Sequence, residues 1–378
     1  MMDAMMSTPL SEADPEIYRL IASERTRQHC GLSLVASENL TSASVLKTLS
    51  SCLTNKYCEG LPNPRDHGSN RYLDRIEHLC QERALQAFNL PPTEWGVNVQ
   101  PYSGTPANNV VYMALLRPHD RIMYLDLLDG GHVSHGNMTL EERLSRASVF
   151  YETMPYKVNP RTGLIDYDKF ARTARLFKPK LIIAGSASYS RYLNYKKFRR
   201  ISDEVGAFLL ADAGQIAGLV QAEVIYSPFH HCDIVSIATH HTLRGPRAGI
   251  VFYRKGVRSV SQDGNTVMYD LPQRLGQGVF PGLDQSHNPT ISRVRSASQD
   301  GNTVMYDLPQ SLGQGVRSVS QDGNTVMYDL PQSLGQGVRS VSQDGNTVMY
   351  DLPQRLGQGV FPGLDQSHNP TISRVFQA

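Results

Sequence analysis

Four short segments carry side chains able to act together on a charged small molecule. Phe208-Leu-Leu-Ala-Asp212 reads as a buried strand ending in a carboxylate, and Asp233-Ile-Val-Ser-Ile-Ala-Thr239 reads as the next strand, followed at once by His240 and His241. A second imidazole pair, His132 and His135, stands in the glycine-bracketed loop Asp129-Gly-Gly-His-Val-Ser-His-Gly136. Tyr102-Ser-Gly-Thr-Pro-Ala-Asn108 falls between a strand and a helix, where open backbone amides and the helix dipole suit a phosphate. Imidazoles with a carboxylate also suit zinc, through His132, His135, Asp212, His240 and His241. No ligand-spacing motif accompanies them, and histidines at strand ends more often serve as hydrogen-bonded structural residues, so no metal is assigned.

These segments belong to a longer series: Leu34-Val-Ala-Ser-Glu-Asn39, Asn55-Lys-Tyr-Cys-Glu-Gly60, Trp95-Gly-Val-Asn-Val-Gln-Pro-Tyr-Ser-Gly-Thr-Pro-Ala-Asn108 and Met154-Pro-Tyr-Lys-Val-Asn-Pro160. From about Pro15 to about Val260 the series resembles serine hydroxymethyltransferase, a pyridoxal-phosphate family. The resemblance implies an α/β fold, the large domain of the fold-type I pyridoxal-phosphate transferases, with a mainly parallel sheet flanked by helices. It implies that Ser103 and Gly104 cup the cofactor phosphate, that His132 stacks on the pyridine ring, and that Asp212 holds the ring nitrogen. Ser37 and Arg247 match substrate-contacting positions, while Tyr57 and Glu59 match residues that handle protons across a dimer interface.

Several positions depart from that pattern. The resemblance leads one to expect Thr-His-Lys-Thr-Leu where this chain reads Thr239-His-His-Thr-Leu243, so His240 is kept and His241 replaces the lysine that binds the cofactor aldehyde. An imidazole cannot form the exchangeable imine that a lysine amine gives. Gln215 stands where a histidine is expected near the cofactor's phenolic oxygen, and Ala187 replaces a nearby serine. Asp66-His67 replaces a tyrosine pair, Asp284-Gln-Ser-His287 replaces a glycine-rich phosphate loop, and no segment matches the small C-terminal domain with its carboxylate-clamping arginine. The expectation is a serine hydroxymethyltransferase-like chain that has lost turnover, holds pyridoxal phosphate non-covalently if at all, and acts, if at all, through binding a partner. The alternative is an active glycine hydroxymethyltransferase that moves a one-carbon unit between serine and tetrahydrofolate with its cofactor held non-covalently.

The whole chain fits an ordinary globular protein: 378 residues, 40% hydrophobic, 19% charged. A formal charge of +2 with interspersed signs gives no basic stripe for nucleic acid. Five cysteines without paired spacing (Cys30, Cys52, Cys58, Cys80, Cys232) point to reduced thiols, and the N-terminus shows no targeting pattern, so cytoplasm is expected. Apolar runs are strand-sized, far below the roughly 20 residues of a membrane-spanning helix.

Asp14-Pro15 is a helix start, and Arg71 to Phe88 has the clearest helical spacing. Beyond it, apolar runs at Val97-Val99, Arg121-Leu127, Ser148-Tyr151, Lys180-Ala184, Ala207-Ala211, Asp233-Ala238 and Gly249-Tyr253 alternate with helical patterns at Ala107-Leu116, Asp166-Phe177 and Tyr195-Val205. Alternation of this kind implies a parallel sheet with helices on its faces. From Arg258 a 22-residue unit recurs at 258–279, 295–316, 317–338 and 339–360, and a 15-residue insert after the first copy recurs after the fourth. Each copy carries Asp-Gly in a hairpin context. The uneven spacing and few apolar residues speak against a solenoid and for a loosely ordered tail. The expected organisation is an arm (1–35), a large domain (36–257) and the repeat tail (258–378). A retained arm and dimer-facing segments point to a homodimer, or to a hetero-oligomer with an active family member.

Overall fold

A computed structural model describes residues 7–56, 59–62, 70–139, 141–260 and 263–279, with two short strands at 295–296 and 304–305. After a single helical turn at Leu10–Ala13 comes α1 (Pro15–Cys30), which starts where Asp14 Oδ1 accepts the Ile17 amide at 3.0 Å and Pro15 gives up no needed donor. After α2 (Ala43–Leu49) and α3 (Arg71–Ala87) come β1 (Trp95–Asn98) and α4 (Gly104–Leu115). The central sheet continues through β2 (Arg121–Leu125) and β3 (Glu152–Tyr156). It is completed by α5 (Tyr167–Phe177), β4 (Leu181–Gly185), α6 (Tyr195–Val205), β5 (Phe208–Asp212), β6 (Ile234–Ala238) and β7 (Gly249–Arg254).

The seven strands lie in the order β1-β7-β6-β5-β4-β2-β3. β7 is antiparallel to both its neighbours, and the remaining pairs are parallel. Parallel strands need helical crossovers, which cover both faces and make the strands apolar throughout. β4 and β6 are accordingly buried at every position. Alternate strand residues feed two cores. Ile182, Leu209 and Val235 pack with Phe170 of α5 and Phe198 of α6, whereas Leu181, Leu210 and Ile234 pack with Val110 and Val111 of α4.

The strand expected at Ser148-Tyr151 is instead the end of a short helix, Arg146–Phe150, begun where Ser145 Oγ accepts the Ala147 amide. The strand follows it as β3, which pairs only with β2 at the sheet edge and so tolerates Pro155.

The first copy of the repeat is not a free tail. Its hairpin strands β8 (Val257–Val260) and β9 (Thr266–Met268) pair around Asp263-Gly264, with Gly264 at φ 79°. α7 (Leu271–Gln277) then buries Leu271 and Leu275 completely against α4. Arg274 donates from Nε to the Ala114 carbonyl at 2.8 Å, and Tyr269 donates to Asp233. The packed body thus runs past 257 to about Val279. Apart from the paired strands 295–296 and 304–305, the later copies lie outside the described residues. The arm is the converse case: neither α1 nor α2 has a buried residue, and this exposed stretch runs well past residue 35.

Candidate active site

A cleft opens where β5 and β6 end and α4 begins. It is lined by Ser103, Gly104 and Thr105 from the start of α4, by His132, by Ser186, and by Asp212, Gly214 and Gln215 after β5. Ala238, His240 and His241 after β6 complete the lining. Ligand crevices at the carboxyl ends of parallel strands are the rule for such sheets.

Close backbone approach places the start of α4. Gly249 of β7 donates its amide to Pro101 O at 2.8 Å, and a Cβ there would lie 2.3 Å from the Ser103 carbonyl oxygen, so only glycine fits. Ser103 occupies the N-cap position, but its side chain makes no capping hydrogen bond, which leaves the hydroxyl and the first-turn amides for a ligand.

A buried polar network places Asp212. His135 Nε2 lies 2.8 Å from Asp212 Oδ2, and Asn108 Nδ2 donates to the same oxygen at 2.8 Å. The Gly214 amide donates to Oδ1 at 3.0 Å. Asn108 in turn accepts from Ser236 at 2.6 Å and donates to Ser134 at 3.1 Å, whose Oγ is 2.8 Å from His132 Nδ1. Burial acts to raise the Asp212 carboxyl, but hydrogen bonding and charge from His135, with His132 and Asn108 behind them, overcome it. The group is held well below the usual carboxylate range. Asp212 is therefore an anion at neutral pH, the state needed to accept from a protonated ring nitrogen.

The far side of the cleft is built differently. His241 Nδ1 lies 2.9 Å from the Ser37 carbonyl, and His241 Nε2 lies 3.3 Å from Gln215 Nε2. The two replaced positions therefore touch each other. The ring of His240 is 4.2 Å from that of His241, and Arg247 NH1 is 3.4 Å from His240 Nε2. Segment 37–41 is tied across this loop: Asn39 donates to the His241 carbonyl at 2.9 Å, Thr41 to that of Arg244 at 3.0 Å, and Arg244 to that of Leu40 at 3.1 Å.

Ser103, Gly104, His132, Asp212, Gln215, His240 and His241 thus meet in one cleft. Ser37 reaches it only through its carbonyl, and Arg247 stands behind His240 outside the lining. Glu59 is half-buried and does not line the cleft, and Tyr57 lies outside the described residues. The resemblance gives Tyr57 and Glu59 to a neighbouring subunit's site, so one chain need not bring them into its own. Sequence reading overlooked Ser186, for which no signal was available, and Asn108, for which there was one. Asn108 stands three residues before Val111 and so shares its apolar helix face, where a polar side chain must be hydrogen-bonded. His132, His135 and Asp212 offer ligand atoms within 4.8 Å of one another. Asp212 Oδ2 is already taken up by His135 and Asn108, so the trio reads as a hydrogen-bonded network rather than a metal centre.

The serine hydroxymethyltransferase family model matches residues 10–310. The chain belongs to the serine hydroxymethyltransferase family. It is 57% identical over 291 residues to a serine hydroxymethyltransferase of Bombyx mori, covering 77% of this chain and 63% of that protein. It is 54% identical over 294 residues to the cytosolic enzyme of Oryctolagus cuniculus, covering 77% and 61%. A chloroplastic serine hydroxymethyltransferase of Arabidopsis thaliana is 52% identical over 284 residues, covering 75% and 52%. The chain therefore spans about three-fifths or less of the length of these relatives. The family depends on pyridoxal phosphate, and the sheet order, the phosphate-suited start of α4 and the anionic Asp212 fit that cofactor.

Proposed function

We propose that this chain is a non-covalent pyridoxal-phosphate-binding member of the family, without useful turnover of serine or glycine. The observation that carries the reading is the cleft lining: among the described residues it keeps the phosphate end and the ring-nitrogen end but contains no primary amine. The cofactor, when bound, supplies a sink for electrons released at an amino acid's α-carbon. Ser103, Gly104 and Thr105 would hold its phosphate, His132 would lie against its ring, and Asp212 would keep its ring nitrogen protonated. His135 and Asn108 keep Asp212 anionic and aimed. His241 cannot hold the cofactor covalently, so each exchange with substrate would have to begin from a dissociable complex.

The arm supports association as the route by which such a chain acts. Leu32 and Leu34 are 96% and 94% exposed, and Leu20, Ile21, Leu46 and Tyr72 are exposed as well. Apolar surface on this scale marks an association face. The proposed partner is a second copy of this chain or an intact family member. The cytosol is the proposed compartment, supported by the named location of the rabbit relative; no helix among the described residues is long and apolar enough to cross a membrane.

The deciding measurement is an absorbance spectrum of the purified chain with pyridoxal phosphate, before and after borohydride. The expected result is a bound cofactor that dialyses away and leaves no stoichiometric label. His241→Lys should restore covalent attachment without restoring turnover. A stoichiometric phosphopyridoxyl label on another lysine, Lys255 for instance, would overturn the reading.

A further inference from the structure

In the resemblance, position 241 carries the group that meets the cofactor's aldehyde carbon, so the side chain there faces the substituent on that carbon. Replacing lysine by histidine removes a bond, and it also reverses what the cleft offers at that point. The Ser37 carbonyl can only accept, so the hydrogen of a neutral His241 resides on Nδ1. Nε2 is then left with its lone pair, in a cleft it shares with Gln215, Ser103, His132 and Asp212. Its partner, Gln215 Nε2, stands at 3.3 Å, long for a hydrogen bond and easily exchanged for a better donor. The tautomer is fixed from outside the cleft, because the bonds from Asn39, Thr41 and Arg244 pin segment 37–41, and with it the Ser37 carbonyl, against the loop.

We propose that His241, with Gln215, makes this cleft selective for the amine form of the cofactor, pyridoxamine 5′-phosphate, over the aldehyde form. The inference rests on the non-covalent reading above. An aldehyde oxygen is an acceptor only, and facing the Nε2 lone pair it finds no hydrogen between. It can take only the second N–H of Gln215, a neutral bond, while Nε2 keeps no more than its long contact to the first. A 4′-ammonium brings three donors. One satisfies Nε2, and another satisfies Gln215 Oε1 once the side-chain amide turns, so both acceptors gain a charge-assisted bond. A lysine at 241 has the opposite preference, since its amine captures an aldehyde and repels a second ammonium.

The test uses the full chain, freed of cofactor by dialysis. Binding of pyridoxamine 5′-phosphate, pyridoxal 5′-phosphate and pyridoxine 5′-phosphate is measured by equilibrium dialysis, and ligand fixed to surface lysines is counted separately after borohydride. A charge-assisted hydrogen bond to an acceptor in the cleft predicts that the amine form binds roughly tenfold tighter than the aldehyde form, with the alcohol between them. His241→Leu should remove the preference, bringing the three affinities of the variant to within about threefold of one another. Should His241→Leu fail to fold, Gln215→Leu provides a second variant, expected to reduce the preference without abolishing it. Equal affinities, tighter aldehyde binding, or a preference unchanged in both variants would overturn the inference and leave the non-covalent reading standing. Failure of all three phosphates to bind would overturn that reading, and this inference with it.

Discussion

The two sides of the cleft are held by different means. On the Asp212 side, His135 is fully buried, Asn108 and Ser236 are buried too, and apart from the Gly214 amide on Asp212 the bonds join side chains rooted in strands, in α4 or in the glycine-bracketed loop packed on them. On the His241 side, Asn39 and Thr41 donate to backbone carbonyls of a loop, and His241 and Arg244 of that loop bond back to the carbonyls of Ser37 and Leu40. The buried side belongs to the fold itself, and residues there cannot change without loss of stability. The exposed side is an addition, where a lysine can become a histidine and its neighbour a glutamine at little structural cost. The contrast fits the proposed reading, in which the ring-holding half of the site is kept and the reactive half altered.

The largest expected effect comes from breaking the buried side. His135→Leu removes the principal partner of Asp212, whose side chain is only 14% exposed. Breaking a buried pair costs about 3–5 kcal/mol, and the low end applies because some water still reaches the carboxylate. Chemical denaturation should show a loss of about 3 kcal/mol. A variant as stable as the parent would mean that the network is not what holds this side together.

A smaller effect should follow from acid. The folded-state pKa of Asp212 is lowered, so its contribution to stability is fully present above the unfolded value of roughly 4 and is lost as pH falls below that. The stability difference between the parent and Asp212→Asn should hold steady from pH 7 to about pH 5 and shrink on further acidification. A difference that grows on acidification has the wrong sign for an anionic Asp212. The group would then be neutral, and the proposed ring-nitrogen contact would fail.

The same division explains what could be read in the sequence. Sheet strands were legible because burial on both faces makes them continuous apolar runs, and the carboxylate at Asp212 and imidazoles at His240 and His241 stand out where such runs stop. Ser148-Tyr151 misled because a capping serine at 145 starts a helical turn before the chain reaches the edge strand. The first repeat copy misled for a different reason. Two leucines in a glycine-rich segment look too few to fold, yet Leu271 and Leu275 need only the groove that α4 and the sheet already provide. No local pattern announces the contact between Gln215 and His241, the bond the Ser37 carbonyl accepts, or the bonds from Asn39 and Thr41, because these contacts join segments up to some 200 residues apart.

The smallest stability effect, and the sharpest test of the comparison, lies at Thr41. Its hydroxyl donates to the Arg244 carbonyl at 3.0 Å on an exposed surface. Thr41→Val keeps the shape and removes the donor, and water can replace the lost bond, so the cost should be no more than about 1 kcal/mol. The same bond helps fix segment 37–41, and therefore the carbonyl that sets the His241 tautomer. Loosening it lets the ring turn and present Nδ1–H to the cleft, a donor that suits the aldehyde form. Thr41→Val should accordingly melt within a few degrees of the parent while losing a measurable part of its preference for pyridoxamine 5′-phosphate. A stability loss as large as that of His135→Leu would erase the distinction between the two sides. A full preference in a normally stable variant would show that the tautomer is fixed without Thr41.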